Sequence, residues 1–295
     1  MDQREGITDH KMSLSCELPH HMMGYNGEFN DFDFVLYHLY EKYKWYRDYY
    51  RDMRKNSPKR LMIFDNSAYE FYVKGETLDL NKFHKAINKL KPDFYILPDV
   101  LMDRKKTMEL AKEFLDRYSK DTVGVPMGVI QGNTCEELLA SAKDMIKLGV
   151  TSIAIPFHNR FFHDLDVPEY IRIHFTHRVF GELNEDQRYA AGRVYWVRTW
   201  LGEVIKDLDY IHMLGTHSWV ERAFYNDMKI DSMDTSYPIK CAMCGYELGK
   251  EPHKPDIIID DILEDPITAE TKDLIIKNME IFNQYNNDHF LTKLQ

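Results

Sequence analysis

The chain is short of cysteine, of long apolar runs and of positive charge, and each shortage removes a class of protein. Its four cysteines, Cys16, Cys135, Cys241 and Cys244, are too few and too unevenly spaced for a disulfide scaffold and fit a reducing compartment. No apolar stretch approaches the ~20 residues that span a bilayer, so no membrane is expected. The opening MDQREGITDH is polar rather than charged-then-apolar, as an export signal would be. The expected location is therefore intracellular and cytoplasmic, in a host's cytoplasm if the source is viral. A net charge of −10 argues against nonspecific coating of nucleic acid, because phosphate binding needs positive potential. One basic face is still allowed, from Lys42 to Arg60 or from Arg172 to Arg198, although a charge run is by default a solvated helix face.

What remains is enough chain for a sizeable core, 295 residues of which 44% are hydrophobic, in one barrel-type domain or two smaller ones. Short apolar runs read as strands at Met12–Leu18, Leu61–Phe64, Phe94–Leu97, Val123–Ile130, Ser152–Ile155, Tyr210–Leu214 and from Ile230. Between them the spacing predicts helices over Phe32–Met53, Leu78–Leu90, Arg104–Tyr118, Thr134–Leu148, Gln187–Ile205, Ser218–Asp227 and Ile267–Phe290. Asp79 or Asn81 would cap the second of these, and Thr134 with Glu137 the fourth. Ile257–Leu263 reads as a late strand or a connector. About seven strand–helix units predict a parallel sheet covered by helices. The expected fold is α/β, a single irregular (β/α)8 TIM-type barrel over residues 1–295, with a helical insertion at about 160–208 and a small Cys-containing loop at 238–256. A doubly wound open sheet is the second choice.

In a barrel the residues that follow each strand gather at one mouth, where substrate binds. Here they are Asp65-Asn66-Ser67-Ala68-Tyr69, Asp99, Gln131-Gly132-Asn133, Pro156-Phe157-His158, Gly215-Thr216-His217, and Asp231 with Asp234. Any one of these acids would pass as a helix cap. As residue types, they suit cleavage of an N-glycosidic bond. One carboxylate traps the oxocarbenium-like sugar covalently and a second carboxyl manages the protons of the leaving and incoming bases. An Asp can accept the N1–H and N2–H₂ of guanine, an amide can serve its O6, and an aromatic replaces the stacking lost when the base is extruded.

Together these segments resemble the tRNA-guanine transglycosylase superfamily. Asp65-Asn66-Ser67-Ala68-Tyr69-Glu70-Phe71 is similar to its Asp-Ser-Gly-Gly-aromatic-Gln segment, and Gly128-Val129-Ile130-Gln131-Gly132 to its Gly-x-x-Gln-Gly. Asp231-Ser232-Met233-Asp234-Thr235-Ser236-Tyr237-Pro238 is similar to Asp-x-Phe-Asp-Cys-Val-x-Pro, with Asp99 in the place of the base-reading Asp. The resemblance implies a base exchange that replaces guanine in nucleic acid with a free 7-deazaguanine, of preQ0 type, by pentosyl transfer. Asp234 would be the nucleophile and Asp65 the general acid/base. Tyr69 and Met213 would cover the two faces of the base, and Asp99, Gln131 and the backbone near Gly132 would read its edge. Phe157, in Pro156-Phe157, stands where the family has Gly-Gly, and Asp231 would orient the loop or bind the sugar.

The chain also departs from that family. The tRNA enzymes hold zinc with a Cys-x-Cys-x-x-Cys cluster and a distant His, whereas only Cys241, Cys244 and His253 are available here for a structural zinc. No cofactor is needed for the chemistry. The lost cluster and the absence of an appended RNA-binding domain resemble the DNA-guanine transglycosylases of phages and bacterial DNA-modification islands. DNA is therefore expected ahead of tRNA, with a free base and a second copy, as a homodimer, as the other partners. Competing expectations are a tRNA enzyme, a non-catalytic nucleic-acid-binding subunit, and a glycosylase that ends in hydrolysis. A metal-hydrolase barrel built on the 13 histidines is disfavoured, because His20-His21 lacks the His-x-His spacing.

Overall fold

A computed structural model describes residues 12–157, 159–176, 182–225, 227–250, 255, 257–258, 260 and 263–284. Its frame is eight parallel strands: β1 (Ser13–Cys16), β2 (Asp33–Leu36), β3 (Met62–Asp65), β4 (Phe94–Ile96), β5 (Val125–Val129), β6 (Ser152–Ile155), β7 (Tyr210–Met213) and β8 (Ser232–Thr235). They pair in the order β1-β8-β7-β6-β5-β4-β3-β2, with helices between strands, as an irregular (β/α)8 barrel of TIM type. The ladder is not closed between β1 and β2. Side chains bridge that seam: Asn30 Oδ1 accepts from the Cys16 N–H at 2.7 Å, its Nδ2 donates to the Cys16 carbonyl at 2.9 Å, and Ser15 Oγ accepts from the Phe34 N–H at 3.3 Å.

Alternation along the strands sorts the side chains into two cores. Phe34, Ile63, Ile96, Met127, Val129 and Ala154 fill the barrel, and Phe94 and Tyr210 close its lower end with ring centroids 4.5 Å apart. Their neighbours Val35, Phe64, Tyr95, Ile153, Ile211, Met213 and Met233 point outward and are buried beneath the helices. Fully burying each such side chain contributes about 1.5–3 kcal/mol.

The strand that the sequence does not signal, β2, lies inside a segment whose sequence predicts helix. Phe32–Met53 is not one helix: β2 comes first, followed by helices at Tyr37–Lys42 and Lys44–Asn56. Phe34 faces the interior and Val35 the helix layer. A strand buried on both faces reads as a near-continuous apolar run, here Phe34-Val35-Leu36 after Asp33, so it carries no period of two to separate it from an adjoining helix.

Other boundaries tighten. The predicted Gln187–Ile205 helix runs Glu185–Trp200, and Ser218–Asp227 is α-helical only over Trp219–Ala223. Residues 238–256 do not begin as a loop, because Tyr237–Met243 is helical, with Pro238 in its first turn where the missing N–H costs nothing. In the expected late strand Ile257 and Ile258 have no regular structure, Asp260 is helical and Leu263 lies in a bend; its residues 259, 261 and 262, and residues 285–290 of the closing helix, lie outside the described residues.

The insertion is anchored in two ways. Where Glu185–Trp200 crosses Arg160–Asp164, Gly192 lies so close that a Cβ on it would sit 2.0 Å from the Phe162 carbonyl oxygen. One residue on, Arg193 is fully buried. Its guanidinium pairs with Glu221 at 2.6 and 2.9 Å and donates to the Leu214 and Gly215 carbonyls at 2.7 and 2.5 Å. Among the described residues no helix is long and apolar enough to cross a membrane.

Candidate active site

A cavity of 460 Å³ opens at the C-terminal ends of the strands. Of the residues expected from sequence, Asp65, Tyr69, Asp99, Gln131, Phe157 and Asp234 line it. The parallel register explains the convergence, since each follows or ends a strand at the same level of the barrel.

Asp234 is held from one side. His212 Nε2 lies 3.1 Å from its Oδ1, and the Gly215 N–H donates to that same oxygen at 2.8 Å. His212 is fully buried inside the barrel, stacked on Phe34 with centroids 5.0 Å apart, and its Nδ1 lies 2.7 Å from Ser232 Oγ. With the serine hydroxyl donating to Nδ1, Nε2 carries the proton that faces Asp234. Both bonds use Oδ1, which leaves Oδ2 of Asp234 available to a reacting carbon.

Asp65 has the opposite character. Burial, then the nearby Glu70 carboxyl, pushes its pKa well above the usual range; the Ser67 N–H, donating to Oδ2 at 2.7 Å, opposes this, and Asp234 and Asp99 add to it. A carboxyl pushed towards its protonated form, facing a cavity shared with a second carboxyl group, suits general-acid work. The turn that aims the Ser67 N–H is strained: Ser67 has φ 60°, the left-handed region that a side chain disfavours. Ser67 Oγ is 2.9 Å from His38 Nδ1, whose Nε2 is 2.7 Å from Asp260 Oδ1, and Lys74 donates to Asp260 at 2.8 Å.

A polar floor lies on the β4–β5 side. Asp99 accepts from Asn66 Nδ2 and from Gln131 Nε2, each at 2.8 Å. Burial raises the Asp99 carboxyl and these two amides hold it down. Gln131 Oε1 is taken by the Met102 N–H at 2.8 Å, so the second Nε2 hydrogen is the group it can offer an acceptor in the cavity. Met102 is another left-handed residue, φ 59°, and its carbonyl accepts from Asn133 Nδ2 at 2.8 Å. Tyr69, 46% exposed, stands at the rim, while Phe157 is buried under the Arg193 guanidinium, 4.8 Å from its ring centre.

Five expected positions lie elsewhere or are otherwise engaged. Met213 points outward into the helix layer, and it is Leu214, one residue on, that lines the cavity. The slip is one of strand parity, which reverses a side chain's face. Asp231 precedes β8 at the other end of the barrel, where its Oδ2 accepts from the Ile211 N–H at 2.8 Å; three residues of strand, about 10 Å, separate it from Asp234. Gly132 does not line the cavity. A Cβ there would meet Glu137 Cβ at 2.8 Å, so packing against the Cys135–Lys147 helix accounts for the glycine. Arg193, a candidate phosphate contact, is committed to the buried Glu221 pair, and Arg198 pairs with Asp227 at 2.8 Å.

Cys241 is buried within its helix and Cys244 is half-buried just past its end; His158 and His253 lie outside the described residues. Among the described residues no three His, Cys, Asp or Glu side chains are grouped to hold a metal ion.

Sequence reasoning missed Glu17, Glu70 and Asp260 in the lining and His212 below it, and it placed His217 at the mouth without giving it a role. Glu17 was within reach of the strand-end rule, since it immediately follows β1. Asp260 was not, because 195 positions separate it from Asp65. No family model matches this chain, and no curated protein matches it.

Proposed function

We propose that the protein is a base-exchange transglycosylase that replaces guanine in DNA with a free 7-deazaguanine through a covalent bond between Asp234 and the sugar. The carrying observation is one cavity holding two carboxyls in opposite environments. Asp234 has a free Oδ2 with Oδ1 braced by His212 and Gly215, and Asp65 is held towards its protonated form.

In the forward half, Asp234 Oδ2 bonds to the sugar C1′ as the bond from C1′ to the base nitrogen breaks. The bonding pair leaves with guanine, which takes the Asp65 proton. In the return half, the incoming base gives its ring N–H proton to Asp65. The nitrogen pair forms the new bond to C1′, and the Asp234 ester bond breaks with its electrons returning to the carboxylate. Asp99 suits the N1–H and N2–H₂ donors of a guanine-like edge, and the spare Gln131 hydrogen suits its O6. Leu214 and Tyr69 supply apolar and aromatic surface around the base.

DNA ahead of tRNA rests on the sequence departures, and a structural zinc on Cys241, Cys244 and His253 stays within the proposal. The test incubates the purified protein with duplex DNA or tRNA carrying labelled guanine, plus free 7-deazaguanines, and follows release of label. Release from DNA that depends on added base is expected. Release from tRNA alone would overturn the substrate assignment; water-supported release would make the protein a glycosylase; and nucleic-acid binding without release would make it a non-catalytic subunit. Asp234→Asn is expected to lower exchange by at least about 10³-fold while guanine still binds.

A further inference from the structure

Glu17 is a carboxyl in the same cavity to which the exchange chemistry gives no task. It follows β1, and the register Ser15 opposite Asp234 and Cys16 opposite Thr235 places it above Asp234, towards the opening. Alternation puts Ser15 and Glu17 on the same, inward face, and both line the cavity. The residue is 8% exposed. Oε2 accepts from the Tyr46 hydroxyl at 3.2 Å, whereas Oε1, buried, has no hydrogen-bond partner among the described residues. An orphaned oxygen on a carboxyl that lines a cavity costs free energy that a ligand, or water, could return.

The position says which part of a ligand it meets. The base-reading groups Asp99 and Gln131 follow β4 and β5 across the mouth, and Asp234 must touch C1′ if it is the nucleophile. Glu17, one strand beyond Asp234 and nearer the opening, then lies on the sugar side of C1′. We propose that Glu17 is a specificity-determining residue that holds the sugar of the bound nucleotide by a hydrogen bond between its unpartnered Oε1 and a sugar oxygen. This inference rests on the transglycosylase assignment of the cavity.

The oxygens of a deoxyribose within a DNA strand are ether or ester oxygens that only accept, so Glu17 must donate. Its surroundings favour that state. Burial raises its pKa to about 8, the Tyr46 hydrogen bond opposes this, and the Asp234, Glu70 and Asp260 carboxyls reinforce it. A glutamine would keep a donor at the same place.

The experiment measures binding of 3′,5′-di-O-methyl-2′-deoxyguanosine, a nucleoside whose sugar oxygens only accept as they do within a strand, and of 9-methylguanine, which offers the same base edge without a sugar, to the full chain and to Glu17→Ala and Glu17→Gln. The wild type is expected to prefer the nucleoside at pH 7 and to lose much of that preference at pH 9. In Glu17→Ala the preference should fall by about tenfold, the worth of one hydrogen bond, with 9-methylguanine affinity unchanged. Glu17→Gln should retain the preference at both pH values. An unchanged preference in Glu17→Ala, or equal losses for both ligands, would overturn the sugar contact and leave base exchange standing. Failure of the wild type to bind 9-methylguanine would overturn the base site and this inference with it.

Discussion

Glu17 and Asp234 share one cavity, yet their surroundings assign them opposite duties. Asp234 is given hydrogen-bond donors, and Glu17 is given burial and like charges. The consequence for Glu17 extends to folding. In the unfolded chain this acid titrates at its ordinary 4.5, whereas in the folded state it holds its proton up to about 8. Its contribution to stability is thus fully present below pH 4.5 and is lost as the pH rises to about 8, at up to about 1.4 kcal/mol per pH unit. Replacing it with glutamine removes that loss. Urea midpoints measured at pH 5, 7 and 9 should show Glu17→Gln gaining on the wild type across the series; parallel profiles would mean that Glu17 is not held neutral. Burial raises Asp65 and Asp99 as well, so the wild type should lose stability towards alkaline pH beyond what Glu17 alone explains.

At the level of elements, the insertion is a working part of the barrel mouth. Arg193 on the Glu185–Trp200 helix donates to the Gly215 carbonyl, and the Gly215 N–H donates to Asp234. Arg193 also donates to the Leu214 carbonyl at 2.7 Å, so the Leu214–Gly215 peptide joins the insertion to the Asp234 carboxylate. The helix reaches that position only because Gly192 admits the Phe162 backbone. Gly192→Ala should lower stability by about 1–3 kcal/mol through overpacking, read from the denaturation midpoint. Arg193→Met, which strands the buried Glu221 carboxylate, should cost about 3–5 kcal/mol. A midpoint within error of wild type for either variant would refute the close crossing or the buried pair. The strained turns at Ser67 and Met102 belong to this scale too. Both lie in strand-to-helix loops, and both are held by hydrogen bonds from the site's own residues: His38 near Ser67 Oγ, Gln131 and Asn133 on the Met102 peptide.

For the whole molecule, closure of the barrel depends on a side chain. Between β1 and β2, Asn30 stands in for a missing strand pairing, and its Nδ2 also reaches Asn26 Oδ1 at 2.7 Å. Asn30→Ala would leave the Cys16 N–H and carbonyl buried and unpaired, at a cost on the order of 2–4 kcal/mol, and would loosen the strand that carries Glu17. A urea midpoint equal to wild type would show that the seam is closed by other contacts. The charge balance sets a limit on partners at the same scale. The formal charge is −10, and Arg54, Arg60, Arg193 and Arg198, from the two basic stretches, are each paired to an acid, so these four arginines are not the grip on a polynucleotide.

Sequence by itself determined the barrel class, the helices over Leu80–Leu90 and Arg104–Tyr118 with little error, and the convergence of Asp65, Asp99, Gln131 and Asp234 on one mouth. Those features are carried by local signals: a short apolar run, a cap, and the rule that strand ends share a face. Tertiary structure alone decided the rest. The strand β2 was hidden because burial on both faces erases its period. Met213 and Leu214 could not be told apart because facing depends on where the strand begins. Asp231 and Asp234 fell at opposite ends because a strand turns three residues of sequence into the depth of the barrel. Whether Arg193 meets solvent or Glu221, and whether Glu17 carries a proton, depend on neighbours brought from distant parts of the chain, and no local pattern encodes them.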